Sequence, residues 1–128
     1  MTKYYLTTDS DEFELEIDLN NPISEALLKD LPLVGVGNNI GGEVYFNLSN
    51  DIPFNGDEKD VFEIGDVVYW RSTDTVKFAI AILYGNTKFG DGTKPRTFSP
   101  CIKFAKVKND VMRLADFKSG AIVKIFTK

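Results

Sequence analysis

The chain has 128 residues and a net charge of −4, from 15 Lys and Arg against 19 Asp and Glu. This length predicts a single domain over residues 1–128, and the 43% hydrophobic and 27% charged fractions are typical of a globular chain. The acidic balance argues against nucleic acid and anionic membranes as partners. Histidine is absent and Cys101 is the single cysteine, which excludes Ser-His-Asp and Cys-His catalysis, imidazole zinc sites and an intrachain disulfide.

The amino-terminal segment does not have the pattern of an export signal. Met1 to Leu6 is followed by a polar, acidic stretch instead of the long apolar region that a signal peptide needs. No apolar run approaches the roughly 20 residues of a membrane span. We therefore expect a cytoplasmic protein without a membrane partner.

Two strands and one helix are predicted in the first quarter of the chain. The strands are Tyr4–Thr8 and Phe13–Asp18, and the second alternates apolar and acidic residues with a period of two. The helix is predicted over Pro22–Leu31, with Asn20 or Asn21 as its cap and proline in its first turn. It is expected to be the one substantial helix of the protein.

The rest of the chain is predicted to be mainly strands. Asp51–Asp60 reads as a polar loop, Gly85–Pro100 as a long and functional or mobile loop, and Val111–Asp116 as a helical turn or loop. In the predicted strand Val76–Tyr84, alternation places large apolar residues on one face and Ala79 and Ala81 on the other, which suits a curved, closed barrel. The predicted strands are Glu43–Ser49, Gly65–Arg71, Val76–Tyr84, Ile102–Val107 and Ala121–Phe126.

The order of several segments resembles a family of small prokaryotic proteins with a cyclophilin-like barrel. These segments are Asn21-Pro22-Ile23 to Leu31-Pro32, Gly42-Glu43-Val44-Tyr45-Phe46, Gly65-Asp66-Val67-Val68-Tyr69-Trp70, and the later Tyr84-Gly85. The resemblance runs from about Asn21 to the C-terminus. It implies a mainly β fold: a closed antiparallel cyclophilin-like β-barrel of about eight strands with one capping helix. The family is itself largely without an assigned reaction, so the resemblance concerns the fold.

The chain departs from true cyclophilin prolyl isomerases at the residues that mark their active groove. Those enzymes carry an arginine in a Phe-His-Arg setting, whereas Arg71, Arg96 and Arg113 stand in other contexts. We therefore predict a binding module for a small molecule or a peptide segment, with no catalytic residue and no cofactor. The alternatives are a divergent prolyl isomerase in which Arg96 supplies the donor to the prolyl amide, and a structural or interaction subunit.

Aromatic and charged residues on the motif strands and the long loop form the predicted ligand site. Aromatic walls supply apolar contact while one acid and one arginine orient a polar ligand. Adjacent strand residues face opposite sides, so one of the pair Tyr69 and Trp70 is expected in the core. The alternative for Glu43 is a solvent-facing position paired with a lysine. The predicted site comprises Glu43, Tyr45, Tyr69, Trp70, Tyr84, Arg96 and Phe98.

Three other patterns do not predict a site. The acidic cluster Asp57, Glu58 and Asp60 lacks the spacing of a calcium loop, so no metal site is predicted. The glycines between Gly35 and Gly42 match neither a dinucleotide nor a phosphate-loop pattern. Cys101 lies in a strand-like run and is interpreted as a small buried residue.

Overall fold

The structure, a computed structural model, describes residues 2–72, 77–87 and 94–128. The start of the predicted strand Val76–Tyr84 and the middle of the predicted loop Gly85–Pro100 lie outside the described residues. The elements, in chain order, are β1 (Tyr4–Thr7), β2 (Glu12–Ile17), α1 (Pro22–Lys29), β3 (Leu33–Val36), β4 (Asn38–Asn39), β5 (Glu43–Asn47), β6 (Glu58–Val61), β7 (Asp66–Arg71), β8 (Phe78–Leu83), β9 (Arg96–Val107), a 3₁₀ helix (Val111–Asp116) and β10 (Ile122–Thr127).

All ten of these strands belong to one antiparallel sheet. The hydrogen-bonded order is β3-β10-β1-β2-β9-β7-β8-β5-β4, and β6 pairs with β9 beside this path. The path is open, with β3 at one end and β4 at the other. The mainly β, antiparallel fold is thus confirmed, whereas the closed barrel and the count of about eight strands are not.

Helix α1 forms where the sequence predicts it, although its cap differs. Asn21 occupies the N-cap position with extended backbone, but its side chain makes no capping hydrogen bond. Instead its Oδ1 accepts from the backbone N–H of Asp57 at 2.8 Å, and its Nδ2 donates to the carbonyl of Lys103 at 3.1 Å. Ile23 and Leu27 bury the apolar face of α1 against the sheet, with 1% and 0% exposure. The asparagine therefore ties the helix start to two neighbouring segments.

Three stretches in which the sequence analysis predicts no strand contain strands. The polar stretch Asp51–Asp60 ends within β6, the glycine-rich connection after α1 contains β3 and β4, and the last residues of Gly85–Pro100 form the start of β9. Strand β6 has the sequence Glu-Lys-Asp-Val and is largely exposed. It therefore lacks the apolar alternation by which a strand is recognised. No helix in the described part of the chain is long and apolar enough to cross a membrane.

Strands β7 and β8 separate two apolar clusters. The main core includes Phe78, Ile80, Ile82 and Tyr84, as their alternation predicts. The opposite face of the sheet carries a smaller cluster of Phe62, Val68, Ala81, Leu83 and Cys101, against which Tyr45 and Trp70 pack. We call this second side the outer face. The candidate site lies on it.

Candidate functional site

Two alanines of β8 form the floor of a groove on the outer face. In the sheet register Ala79 lies between Asn47 of β5 and Trp70 of β7, and Ala81 lies opposite Tyr45. Directly opposed side chains in a sheet have Cβ atoms about 5 Å apart. Because alanine ends at Cβ, the larger residues on either side stand above it. The small residues of β8 thus create a depression between β5 and β7.

This depression, which we call the outer groove, has a volume of about 280 Å³. Strands β5, β7, β8 and β9 all contribute to its walls. Glu43, Tyr45, Trp70 and Phe98 of the predicted site line it. The other residues that line it are Ile40, Asn47, Lys77, Ala79, Ala81, Thr97, Ser99 and Cys101.

Hydrogen bonds around Ser99 fix one wall of the outer groove. The indole N–H of Trp70 donates to Ser99 Oγ. The Thr97 hydroxyl donates to the carbonyl of Ser99 at 2.7 Å, and the Cys101 thiol is 3.4 Å from the same oxygen. The Trp70–Ser99 bond joins β7 to the first half of β9 and sets the orientation of the indole ring, while the other two contacts lie within β9. Phe98, in contrast, is 79% exposed at the edge of the groove.

Glu43 brings a carboxylate into this largely apolar groove. The residue is 9% exposed, so it does not occupy the solvent-facing position that was its alternative interpretation. The negative charge of Glu43 also affects the pKa of Cys101. Burial is the main cause that raises the pKa of the Cys101 thiol to about 12, a hydrogen bond with Thr97 lowers this pKa, and the charge of Glu43 raises it further. Cys101 is therefore a neutral, buried thiol at neutral pH, as the sequence indicates.

The other three predicted residues do not line the outer groove. Tyr69 is fully buried in the main core, where its hydroxyl donates to the carbonyl of Ile52 at 2.7 Å. Tyr84 is 7% exposed, and its hydroxyl donates to Asn39 Oδ1 at 2.7 Å. Both side chains point away from the outer face because each alternates with a neighbour that lies on that face.

Arg96 is kept from the outer groove by a strand pairing that the sequence did not predict. It pairs in register with Val61 of β6, and its guanidinium Nη1 is 3.9 Å from Asp60 Oδ2. The side chain is about half exposed and forms an ion pair at the edge of β6 and β9. The structure therefore does not bring the expected acid and arginine together in the outer groove.

The residues that sequence reasoning missed are mostly small. Ala79 and Ala81 make the floor, and Thr97, Ser99 and Cys101 make the wall on β9. The sequence did contain a signal for the floor, since residues 79 and 81 are alanines in an otherwise bulky strand. The sequence contained no such signal for the wall on β9, because residues 96–100 lack the pattern of a strand.

A further depression adjoins the outer groove across Trp70 and Phe98. It has a volume of about 560 Å³, and Arg71 and Glu58 contribute charged groups to it. Arg71 makes a bidentate pair with Asp51, at 3.0 Å for both contacts. Trp70, Phe98 and Ser99 line both depressions. A ligand longer than the outer groove would therefore cross the indole ring toward Arg71.

Within the described part of the chain, no group of three or more His, Cys, Asp or Glu side chains is placed to hold a metal ion.

Comparison with known proteins identifies the family of the chain. No curated protein matches the chain significantly. The solution structure of a hypothetical protein from Archaeoglobus fulgidus is similar to it, with a TM-score of 0.76 and 26% identity over 98% of this chain and 93% of that one. The model of the cyclophilin-like family matches residues 3–126. Since this match spans nearly the whole chain, the protein belongs to the cyclophilin-like family.

Proposed function

We propose that the protein is a binding module that holds a small molecule or a peptide segment in the outer groove. One observation carries this proposal. Four residues of the predicted ligand site line a single groove with an alanine floor: Glu43, Tyr45, Trp70 and Phe98. Concave sites with apolar walls and a few placed polar groups are typical of ligand binding.

The composition of the groove supports a particular kind of ligand. The floor and the rings of Tyr45 and Trp70 offer contact to a flat apolar group. Glu43 and Lys77 place one negative and one positive side chain on the lining, which would orient the polar end of such a ligand. An apolar group would gain roughly 25 cal/mol for each Å² that it buries. A ligand with one apolar and one polar end is therefore favoured over a highly charged one.

The position of Arg96 bears on the enzyme alternative. A prolyl isomerase of this design needs a donor close to the prolyl amide in the groove, and the guanidinium of Arg96 lies beside Asp60 instead. The indole N–H of Trp70 already donates to Ser99. These contacts favour binding over catalysis. An interaction subunit would use the same groove for a segment of its partner.

A fragment screen followed by fluorescence titration tests the proposal. Trp70 is the one tryptophan of the chain, so its emission reports on the outer groove without interference from another indole. Fragments that raise the melting temperature are titrated while this emission is recorded. We expect the stabilising fragments to include aromatic or aliphatic ones with a polar end, and to perturb Trp70 with saturation. Stabilising fragments that all leave Trp70 unperturbed would contradict the proposal.

A further inference from the structure

Another concavity lies on the outer face, at the opposite end of β7. It has a volume of about 380 Å³, and its lining is mostly polar, with Asp18, Asn21, Glu63, Asp66, Lys94 and Lys103 among its members. We call it the polar cavity. Asp66 and Trp70 are four residues apart on β7 and share a face, which places the polar cavity about 13 Å along the strand from the outer groove. The apolar cluster around Val68 lies between them.

Asp66 is the most buried charged residue that lines the polar cavity. It is 3% exposed, and its Oδ2 accepts the backbone N–H of Glu63 at 2.9 Å. Its Oδ1 accepts no hydrogen bond from any described residue. The Nζ atoms of Lys103 and Lys106 balance its charge from 3.5 and 3.8 Å. A buried carboxylate oxygen without a hydrogen bond is costly, so this atom favours a donor supplied by a ligand.

Most of the charged groups that line the polar cavity form ion pairs within the protein. Glu63 is 2.8 Å from Lys94, and their mutual hydrogen bond lowers the pKa of Glu63 and raises that of Lys94. Asp57 is 3.4 Å from Lys59. A ligand ammonium at Asp66 Oδ1 would be repelled by the two nearby lysines, and an anion by the carboxylates. A neutral ligand meets neither penalty.

We infer that the polar cavity is a second binding site, for a neutral polyhydroxylated ligand such as a sugar or a cyclic polyol. A hydroxyl is both donor and acceptor. One hydroxyl near Asp66 Oδ1 would donate to that oxygen and accept from the ammonium of Lys103. An ammonium group has no acceptor for the lysine, and a phosphate would bring its negative charge against the carboxylate. Further hydroxyls would meet Asn21 and the Glu63–Lys94 pair. This site is separate from the outer groove and does not depend on the function proposed for it.

The test is a two-dimensional ¹H–¹⁵N NMR titration of the full chain with myo-inositol and methyl α-D-glucopyranoside. Ethylammonium and inorganic phosphate are titrated in parallel at matched ionic strength. We expect at least one of the two polyols to cause saturable shifts at the amides of Glu63 and Asp66, with no change in Trp70 fluorescence. Saturable binding of ethylammonium or phosphate there, or of neither polyol, would overturn the inference.

The two lysines that form ion pairs with Asp66 provide matched variants. Lys103 and Lys106 both pair with Asp66 Oδ1, but of the two only Lys103 lines the polar cavity. We expect Lys103→Met to weaken polyol binding about tenfold, the effect of losing a hydrogen bond to a charged group, and Lys106→Met to change it less than about twofold. Asp66→Asn, which removes the acceptor charge, should weaken it at least as much as Lys103→Met. Equal effects of the two lysine variants would contradict a site at the polar cavity, and this comparison remains decisive if Asp66→Asn does not fold.

Discussion

Tyr69 and Trp70 are consecutive residues of β7 that lie on opposite sides of the sheet. Tyr69 is fully buried in the main core, with its hydroxyl bonded to Ile52, whereas Trp70 lines the outer groove with its indole bonded to Ser99. We therefore expect Tyr69 to contribute to stability and Trp70 to contribute to the proposed binding.

Phenylalanine substitutions at Tyr69 and Trp70 should separate the effect on stability from the effect on ligand affinity. Tyr69→Phe removes the donor to a buried carbonyl, so we expect a loss of about 1–2 kcal/mol in the free energy of unfolding with no change in ligand affinity. Trp70→Phe should weaken binding of a fragment selected at the outer groove. Urea denaturation measures the stability, and calorimetric titration measures the affinity because it does not need the indole. The reverse assignment of effects would contradict the placement of the two side chains.

Two adjacent glycines before β5 should respond differently to alanine. Gly41 and Gly42 both have positive φ, +87° and +81°. A Cβ at Gly41 meets nothing within 4 Å, whereas a Cβ at Gly42 would clash with the carbonyl oxygen of Asn86. We expect Gly41→Ala to cost about 1–2 kcal/mol through backbone strain, and Gly42→Ala about 3 kcal/mol or more. Thermal unfolding of both variants checks this, and equal losses would refute the close approach.

The buried thiol should make stability depend on alkaline pH. The pKa of Cys101 is raised to about 12 by burial, so its contribution is complete below the unfolded-state pKa of about 8.5 and is lost as pH rises toward the folded value. We expect the free energy of unfolding to fall more steeply for the natural chain than for Cys101→Ala between about pH 9 and about pH 10.5. Denaturant melts across this range measure both slopes. Parallel slopes would show that the thiol ionises in the folded protein.

Arg96 should be dispensable for any effect on proline-containing peptides. Its guanidinium lies beside Asp60 and does not line the outer groove. We expect isomerisation of a proline-containing test peptide to stay near the uncatalysed rate, and Arg96→Ala to leave that rate unchanged. A protease-coupled assay measures it. A robust rate that disappears in Arg96→Ala would support the enzyme alternative.

The sequence predicted best where contrasting residues alternate. Strand β8 was recognisable because Phe78, Ile80 and Ile82 bury large side chains on one face and alanines stand on the other. Helix α1 was recognisable from its apolar face and its flanking prolines. In both, the signal is local, since each residue's environment follows from its position on one element.

The features that the sequence did not predict depend on contacts between distant segments of the chain. The polar strand β6 is exposed, so its sequence did not differ from that of a loop. Because its pairing with β9 was not foreseen, neither was the approach of Asp60 to Arg96. The polar cavity was missed for the same reason: Asp18, Asp66 and Lys103 come from three segments whose proximity no single stretch reveals. The edges of the sheet, β3 and β4, are also set by such pairings.

Filling the floor of the outer groove tests the central claim most directly. Ala79→Leu adds a side chain between Asn47 and Trp70, while Ala115→Leu makes the same change at an exposed position of the 3₁₀ helix. The measurement is the affinity of a fragment that perturbs Trp70, determined for both variants after their melting temperatures show that they are folded. The account predicts at least about a tenfold loss for Ala79→Leu and no change for Ala115→Leu, because the leucine occupies the volume that the ligand needs. Unchanged affinity in a folded Ala79→Leu protein would contradict binding in the outer groove.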